Sequence, residues 1–113
     1  MNLSANGFLE AVLTLHAEND IPAGTPVKLT GNYTVEAAEN GEAFCGVALS
    51  CRDHACAVRL RGTSTTPFTG NAPTPGSTGL ASDGEGGVQS SENGTQVLVL
   101  ACDNERKTVT YML

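Results

Sequence analysis

The densest set of chemically capable side chains in the sequence is Cys51-Arg-Asp-His54-Ala-Cys56. Thiolate and imidazole are ligands that zinc accepts, and Cys45 or Cys102 would complete a tetrahedron. The spacing opposes that use. Structural zinc sites repeat a Cys knuckle or follow it with paired histidines, and neither occurs here. Alternation also puts Cys56 on the inward face of a strand with Val58 and Leu60, so the expectation is core thiols and no metal site. His16 and His54 have no partner motif and read as a strand-face and a turn histidine. Asp83-Gly-Glu85-Gly would offer calcium two oxygens, but no full ligand loop follows, so it reads as a solvated turn. Arg59 and Arg61 leave one strand face, where the default is solvation. Asn32-Tyr-Thr34 and Asn93-Gly-Thr95 match the glycosylation pattern and read most simply as turns. No nucleophile elbow and no phosphate-cradling glycine loop is present. The expectation is a non-enzymatic protein with no catalytic, cofactor-binding or metal-binding residues.

The elements that would position these groups are strands. Phe8 to His16 alternates, with Leu9, Ala11, Leu13 and Leu15 on one face, although a helical reading of the same residues is also open. Asp20-Ile-Pro-Ala-Gly24 is a turn. Pro26 to Leu29 and Tyr33 to Glu36 are short strands about Gly31-Asn32. Asn40-Gly41 announces the apolar run Ala43 to Ser50, which is apolar on both faces and so expected to be central. Ala55 to Arg61 alternates as a half-buried strand. The Gly- and Pro-rich stretch from Gly62 to Asn93 holds brief strand candidates at Thr63 to Thr66 and near Leu80 and Val88. Its length suggests a surface excursion or functional loop. Thr95 to Cys102 and Lys107 to Leu113 flank Asp103-Asn-Glu-Arg106 as a terminal β-hairpin. The expected architecture is all-β: a small single-domain barrel or sandwich with a long Gly/Pro-rich loop region, no helix and no internal repeat. Residues 1–8 read as a flexible arm and 9–113 as one β domain.

Composition narrows the function. The chain has 113 residues, enough for one core. A net charge of −6, with no Trp and few Phe or Tyr, disfavours nucleic acid and anionic membranes. No run approaches the ~20 apolar residues that span a bilayer. Met1 to Gly7 lacks a basic region and Glu10 interrupts the apolar run behind it, so no secretory leader is expected. In a reducing cytosol the four cysteines would be free thiols buried as small hydrophobes, whereas secretion would leave three alternative pairings open.

The layout then resembles a known family. Gly24-Thr-Pro-Val-Lys-Leu29, Phe44-Cys-Gly-Val-Ala-Leu49 and Ala57-Val-Arg-Leu-Arg-Gly62 are similar to the small capsid decoration (cement) proteins of tailed phages and prophages. Gly79-Leu-Ala-Ser-Asp-Gly-Glu-Gly-Gly-Val88, followed by Val97 to Asp103 and a short last strand, is similar to their C-terminal half. The resemblance covers roughly residues 9–113. It implies a compact β-barrel-like domain, made in the bacterial cytoplasm, that binds the major capsid protein shell from outside, often as a trimer about a local threefold axis. It carries no catalytic residues to transfer, and four cysteines are unusual for it. Leu3 and Phe8 in the arm are the candidate apolar anchors on the shell, with no nucleic acid, membrane, cofactor or small-molecule substrate expected. A phage tail, fibre or baseplate module and a ligand-binding β-sandwich are the alternatives.

Overall fold

The computed structural model describes residues 11–113 as ten strands without a helix. In the first half, β1 (Ala11–Ala17), β2 (Pro26–Gly31), β3 (Thr34–Ala37), β4 (Gly46–Arg52) and β5 (Ala55–Arg61) close a barrel in the order β1-β3-β2-β4-β5. In the second, β6 (Thr63–Pro67), β7 (Gly76–Ser82), β8 (Val88–Ser90), β9 (Thr95–Asp103) and β10 (Thr108–Met112) form a sheet in the order β6-β10-β9-β7-β8. The architecture is therefore all-β in one small domain. Leu3 and Phe8, the proposed arm and the first residues of the expected Phe8 to His16 strand lie outside the described residues.

The expectation of no internal repeat is overturned. Read around the ring, the second sheet has the order of the first: each opening strand lies between the third and fifth strands of its half. β1 pairs with β3 in parallel, and a parallel bridge from Phe68 to Val88 joins the edges of the second sheet at the corresponding place. The registers agree as well. Leu29 faces Val35 across β2 and β3, as Ser82 faces Val88 across β7 and β8. Ala48 faces Val58 and Ser50 faces Ala57, leaving Leu49 as the extra residue of a bulge. Val99 faces Tyr111 and Ala101 faces Thr110, leaving Leu100 in the same role. Glu39-Asn40-Gly41 and Glu92-Asn93-Gly94 occupy matching loops.

Why each half folds this way follows from local signals. The β4–β5 hairpin turns on Asp53 and His54, with φ of 51° and 69°. Two successive left-handed residues make the turn whose twist matches the flanking strands. Gly46 opens β4 because a Cβ there would sit 2.6 Å from the Arg59 carbonyl oxygen, so no larger residue lets β5 come so near. The stretch expected to be a surface excursion is instead three strands of the second half. Its Phe68, Leu80, Ala81 and Val88 are buried, so short strands separated by turn residues had hidden core positions.

Two apolar clusters result. One, inside the first barrel, gathers Leu15, Ala17, Ile21, Val27, Val35, Ala48, Cys56 and Val58. The other gathers Phe68, Leu80, Val88, Val97, Val99, Val109 and Tyr111 of the second half, together with Ala38, Phe44 and Val47 of the first. The loop between β3 and β4 thus reaches across as a clasp. Gly41 N–H donates to the Ser82 carbonyl at 2.8 Å, and Ser82 N–H donates to the Glu42 carbonyl at 2.9 Å, so the turn at Asn40-Gly41 is bonded to the end of β7. Ser82 Oγ donates to the Ala38 carbonyl at 2.8 Å. Phe44 is edge-on to Tyr111 with ring centroids 6.2 Å apart, and its N–H and carbonyl both bond Thr95 Oγ1. Glu42 is anchored in turn by Lys28 Nζ at 2.7 Å and by the Glu39 N–H at 2.8 Å, and these bonds hold its carboxyl below its ordinary pKa.

Two outcomes follow. Phe44→Ala removes the largest side chain of the clasp from a packed site and should cost about 3–5 kcal/mol in urea unfolding. Burial pushes the Tyr111 hydroxyl up to about 12, against the opposing effect of its bond to Thr66. A raised folded pKa means stability that is whole below the unfolded value, 10.0, and is lost as pH rises towards 12. In a Tyr33→Phe background, where Tyr111 is the remaining tyrosine, tyrosinate absorbance should appear only near that pH or together with unfolding.

Candidate partner-binding cleft

The first barrel is closed at one end and open at the other. β1 runs beside β5 from Ala11 to His16, yet it meets β3 only at His16 and Ala17. Among the described residues no strand pairs with the rest of that edge, and the β2–β3 hairpin diverges from it. The gap is a cleft of about 430 Å³ lined by Leu13 and Leu15 of β1, Leu29 and Gly31 of β2, Asn32, Tyr33, Cys45 and Leu60. Its rim is unusually apolar for a surface: Leu13, Leu29 and Tyr33 are 51%, 58% and 78% exposed. Val12 is exposed beside it. Single apolar residues on a surface need no explanation, but a contiguous group around a concavity marks an interaction site.

The repeat shows what such a mouth takes. Leu29 corresponds to Ser82, and Ser82 is where the clasp lies down with two main-chain hydrogen bonds and Phe44 behind them. The second half therefore has its mouth covered by a loop of the chain itself. The first half presents the corresponding edge uncovered among the described residues. Tyr33 is held at the rim by its own left-handed conformation, φ 54°, and its carbonyl accepts from the His16 N–H at 2.7 Å.

The residues singled out from sequence are distributed differently. His16 and His54 do come together, stacked with centroids 5.9 Å apart, and His54 Nδ1 lies 3.0 Å from the Ala17 carbonyl. Both are exposed, and among the described residues no three His, Cys, Asp or Glu side chains converge on a point that would hold a metal. Cys51 and Cys56 face one another across β4 and β5. Of the four thiols only Cys56 is fully buried. Cys45 is exposed, and Cys51 and Cys102 are half-buried, which corrects the expectation of four core thiols. Cys45 leaves the core because it precedes β4 and sits at the cleft. Asp83 is committed to its own turn: Thr69 Oγ1 at 2.6 Å and the N–H groups of Glu85 and Gly87 at 2.7 and 3.0 Å all donate to it. Partial burial would raise its pKa, but those donors bring it below the ordinary value. Arg59 is half-buried, its Nη1 donating to the Thr63 carbonyl at 2.8 Å, while Arg61 is exposed. A smaller depression of about 240 Å³ is lined by Glu18, Asp20 and Glu36 together with Ile21, Pro22 and Val35.

Sequence reasoning missed the cleft. Leu13 and Leu29 look like core residues in an alternating pattern, and nothing local reveals that the barrel gapes beside them. The exposed Leu98 and Leu100 of β9 were hidden likewise, since β9 is central in its sheet by pairing while one face stays open.

The chain matches no protein-family model and no curated protein sequence. The apolar rim can be tested directly. Replacing Leu29 and Tyr33 by Ser should abolish binding of an apolar fluorescent dye to the cleft, while unfolding free energy shifts by only about 0.5 kcal/mol per site, as is usual for exposed positions.

Proposed function

We propose that this protein is a non-enzymatic adhesion domain, similar to phage capsid decoration proteins, that binds the outer surface of an assembled head and reinforces it. The observation that carries the reading is the apolar mouth of the first barrel, uncovered among the described residues, whose counterpart in the second half is covered by the loop between β3 and β4. Such a mouth accepts a strand-like segment of a partner by adding main-chain bonds at its edge and filling the cleft with apolar side chains. A rigid scaffold with one receptive edge suits a surface that offers the same segment many times. Modest affinity per site becomes firm attachment where copies, for example a trimer about a local threefold axis, bridge neighbouring subunits. The acidic surface, with net charge −6, supports a protein partner over nucleic acid.

The test is co-sedimentation of the purified protein with empty phage heads. Wild-type protein should pellet with the heads, and Leu29→Asp with Tyr33→Asp should leave it in the supernatant at unchanged melting temperature. Equal pelleting of the double variant would exclude the cleft as the contact surface. No pelleting of either protein would refute the decoration reading for those heads.

A further inference from the structure

We propose that Cys51 and Cys56 form a dithiol site that closes to a cross-strand disulfide by exchange with a low-molecular-weight disulfide such as oxidised glutathione. The register places the two residues directly opposite one another, one pair out from the Asp53-His54 turn. In a hairpin with a two-residue loop the flanking pair, here Arg52 and Ala55, exchanges hydrogen bonds. The next pair does not, and its Cα atoms then stand about 4.5 Å apart. A disulfide spans Cα separations of about 4.4–6.8 Å.

Facing residues of a strand pair leave the sheet on the same side. That side is the barrel interior, where Cys56 is part of the core and Cys51 packs against it. The repeat supplies an internal contrast. Cys102 holds the position of Cys51 in the second half, but it faces Val109. The duplicated hairpin thus has the thiol without its partner.

The environment sets the order of events. Cys51 is half-buried and within reach of a small disulfide, and its Sγ lies 3.8 Å from Asp20 Oδ1. Cys56 is enclosed, and burial pushes its thiol up to about 11, with Cys51 and the Asp20 carboxylate acting in the same direction. The Cys51 sulfur, having lost its proton, attacks the glutathione disulfide and breaks its S–S bond, releasing one glutathione thiolate that takes up a proton. The Cys56 sulfur then gives up its proton and attacks the Cys51 sulfur, expelling the second glutathione. The protein loses two protons and two electrons, and one glutathione disulfide becomes two thiols. Directly facing Cβ atoms stand about 4.5–5.5 Å apart, wider than the roughly 3.8 Å of a relaxed bridge, so the bond closes with local strain and is readily reduced again.

The site lies where the barrel shuts. Ala17 N–H donates to the His54 carbonyl at 3.0 Å, so the bridged hairpin is the one to which the parallel β1–β3 closure is tied. A covalent link there fixes that end of the barrel while leaving the open cleft at the other.

The experiment treats folded wild-type protein with excess oxidised glutathione and then alkylates free thiols after unfolding. Trypsin cleaves after Arg52, so the Cys51 and Cys56 peptides stay joined only through a bridge. The expected result is that joined pair, alkylated Cys45 and Cys102, faster closure at higher pH, and a melting temperature raised by several degrees that reverts with reductant. Cys51→Ser should show no joined peptide and no thermal shift. Glutathione retained on Cys51 with Cys56 alkylated, or both cysteines alkylated after prolonged exposure, would overturn the assignment, as would disulfides joining Cys51 to another molecule.

Discussion

The clasp between β3 and β4 is the interaction on which the remaining structure depends. Each half alone would have too little apolar area to be secure, because a unit of some fifty residues buries only about 60% of its surface. Carrying Phe44 and Ala38 from one half into the core of the other converts two marginal sheets into one cooperative body. The polar cost of that insertion is met at every step: Ser82 answers the loop's main chain, Thr95 answers both backbone groups of Phe44, and Lys28 neutralises Glu42. Among the described residues no buried side-chain polar atom is left without a partner. A loop that is fully bonded and apolar at its tip acts as a structural wedge, and it fixes how the two barrel-like halves face each other.

The same insertion explains the asymmetry of two otherwise matching halves. The second half has small or polar residues around its mouth, Ser82 and Gly84 because a piece of the chain already lies there and needs room and hydrogen bonds, and Thr66, which bonds Tyr111. The first half has Leu15, Leu29 and Gly31 at the corresponding places, with Leu13 and Tyr33 beside them. Apolar side chains around an edge left uncovered among the described residues are the composition of a contact surface.

Much of the strand pattern was legible in the sequence. The alternation of Ala55 to Arg61, the Asn40-Gly41 turn and the hairpin around Asp103 to Arg106 became β5, the clasp turn and β9–β10, because period-two burial and turn chemistry act locally. Three things were not. The repeat was hidden because the halves share few residues in sequence, chiefly Glu-Asn-Gly and one cysteine, while the likeness resides in register and bulge position. The strand candidates at Thr63 to Thr66 and near Leu80 and Val88 became β6, β7 and β8, but that they carry core residues was obscured since glycine and serine satisfy close approaches there, leaving few apolar residues to count. The cleft was invisible since Leu13 and Leu29 obey the core pattern, and only ring closure at His16 and Ala17 decides that they face outward. The cysteines failed as a group for a related reason. Four thiols of one type spread over exposed, half-buried and buried positions, set by where each falls relative to its strand and the core.

Duplication also bears on how the chain reaches its native state. Most pairings, β2 with β3, β4 with β5, β7 with β8 and β9 with β10, join neighbours in sequence, so the loop-closure entropy of each step is small. The parallel closures of β1 on β3 and of β6 on β8 span single halves as well. β1 on β5 and β6 on β10 close each half across its length, Ala11 with Arg61 and Thr63 with Met112, and the clasp links the two halves, Phe44 with Thr95 and Tyr111 among them. Non-local contacts are the slow ones. The embrace that makes the halves one molecule needs both of them, which leaves a newly made chain with its greasiest loop uncovered until its own C-terminal half has emerged.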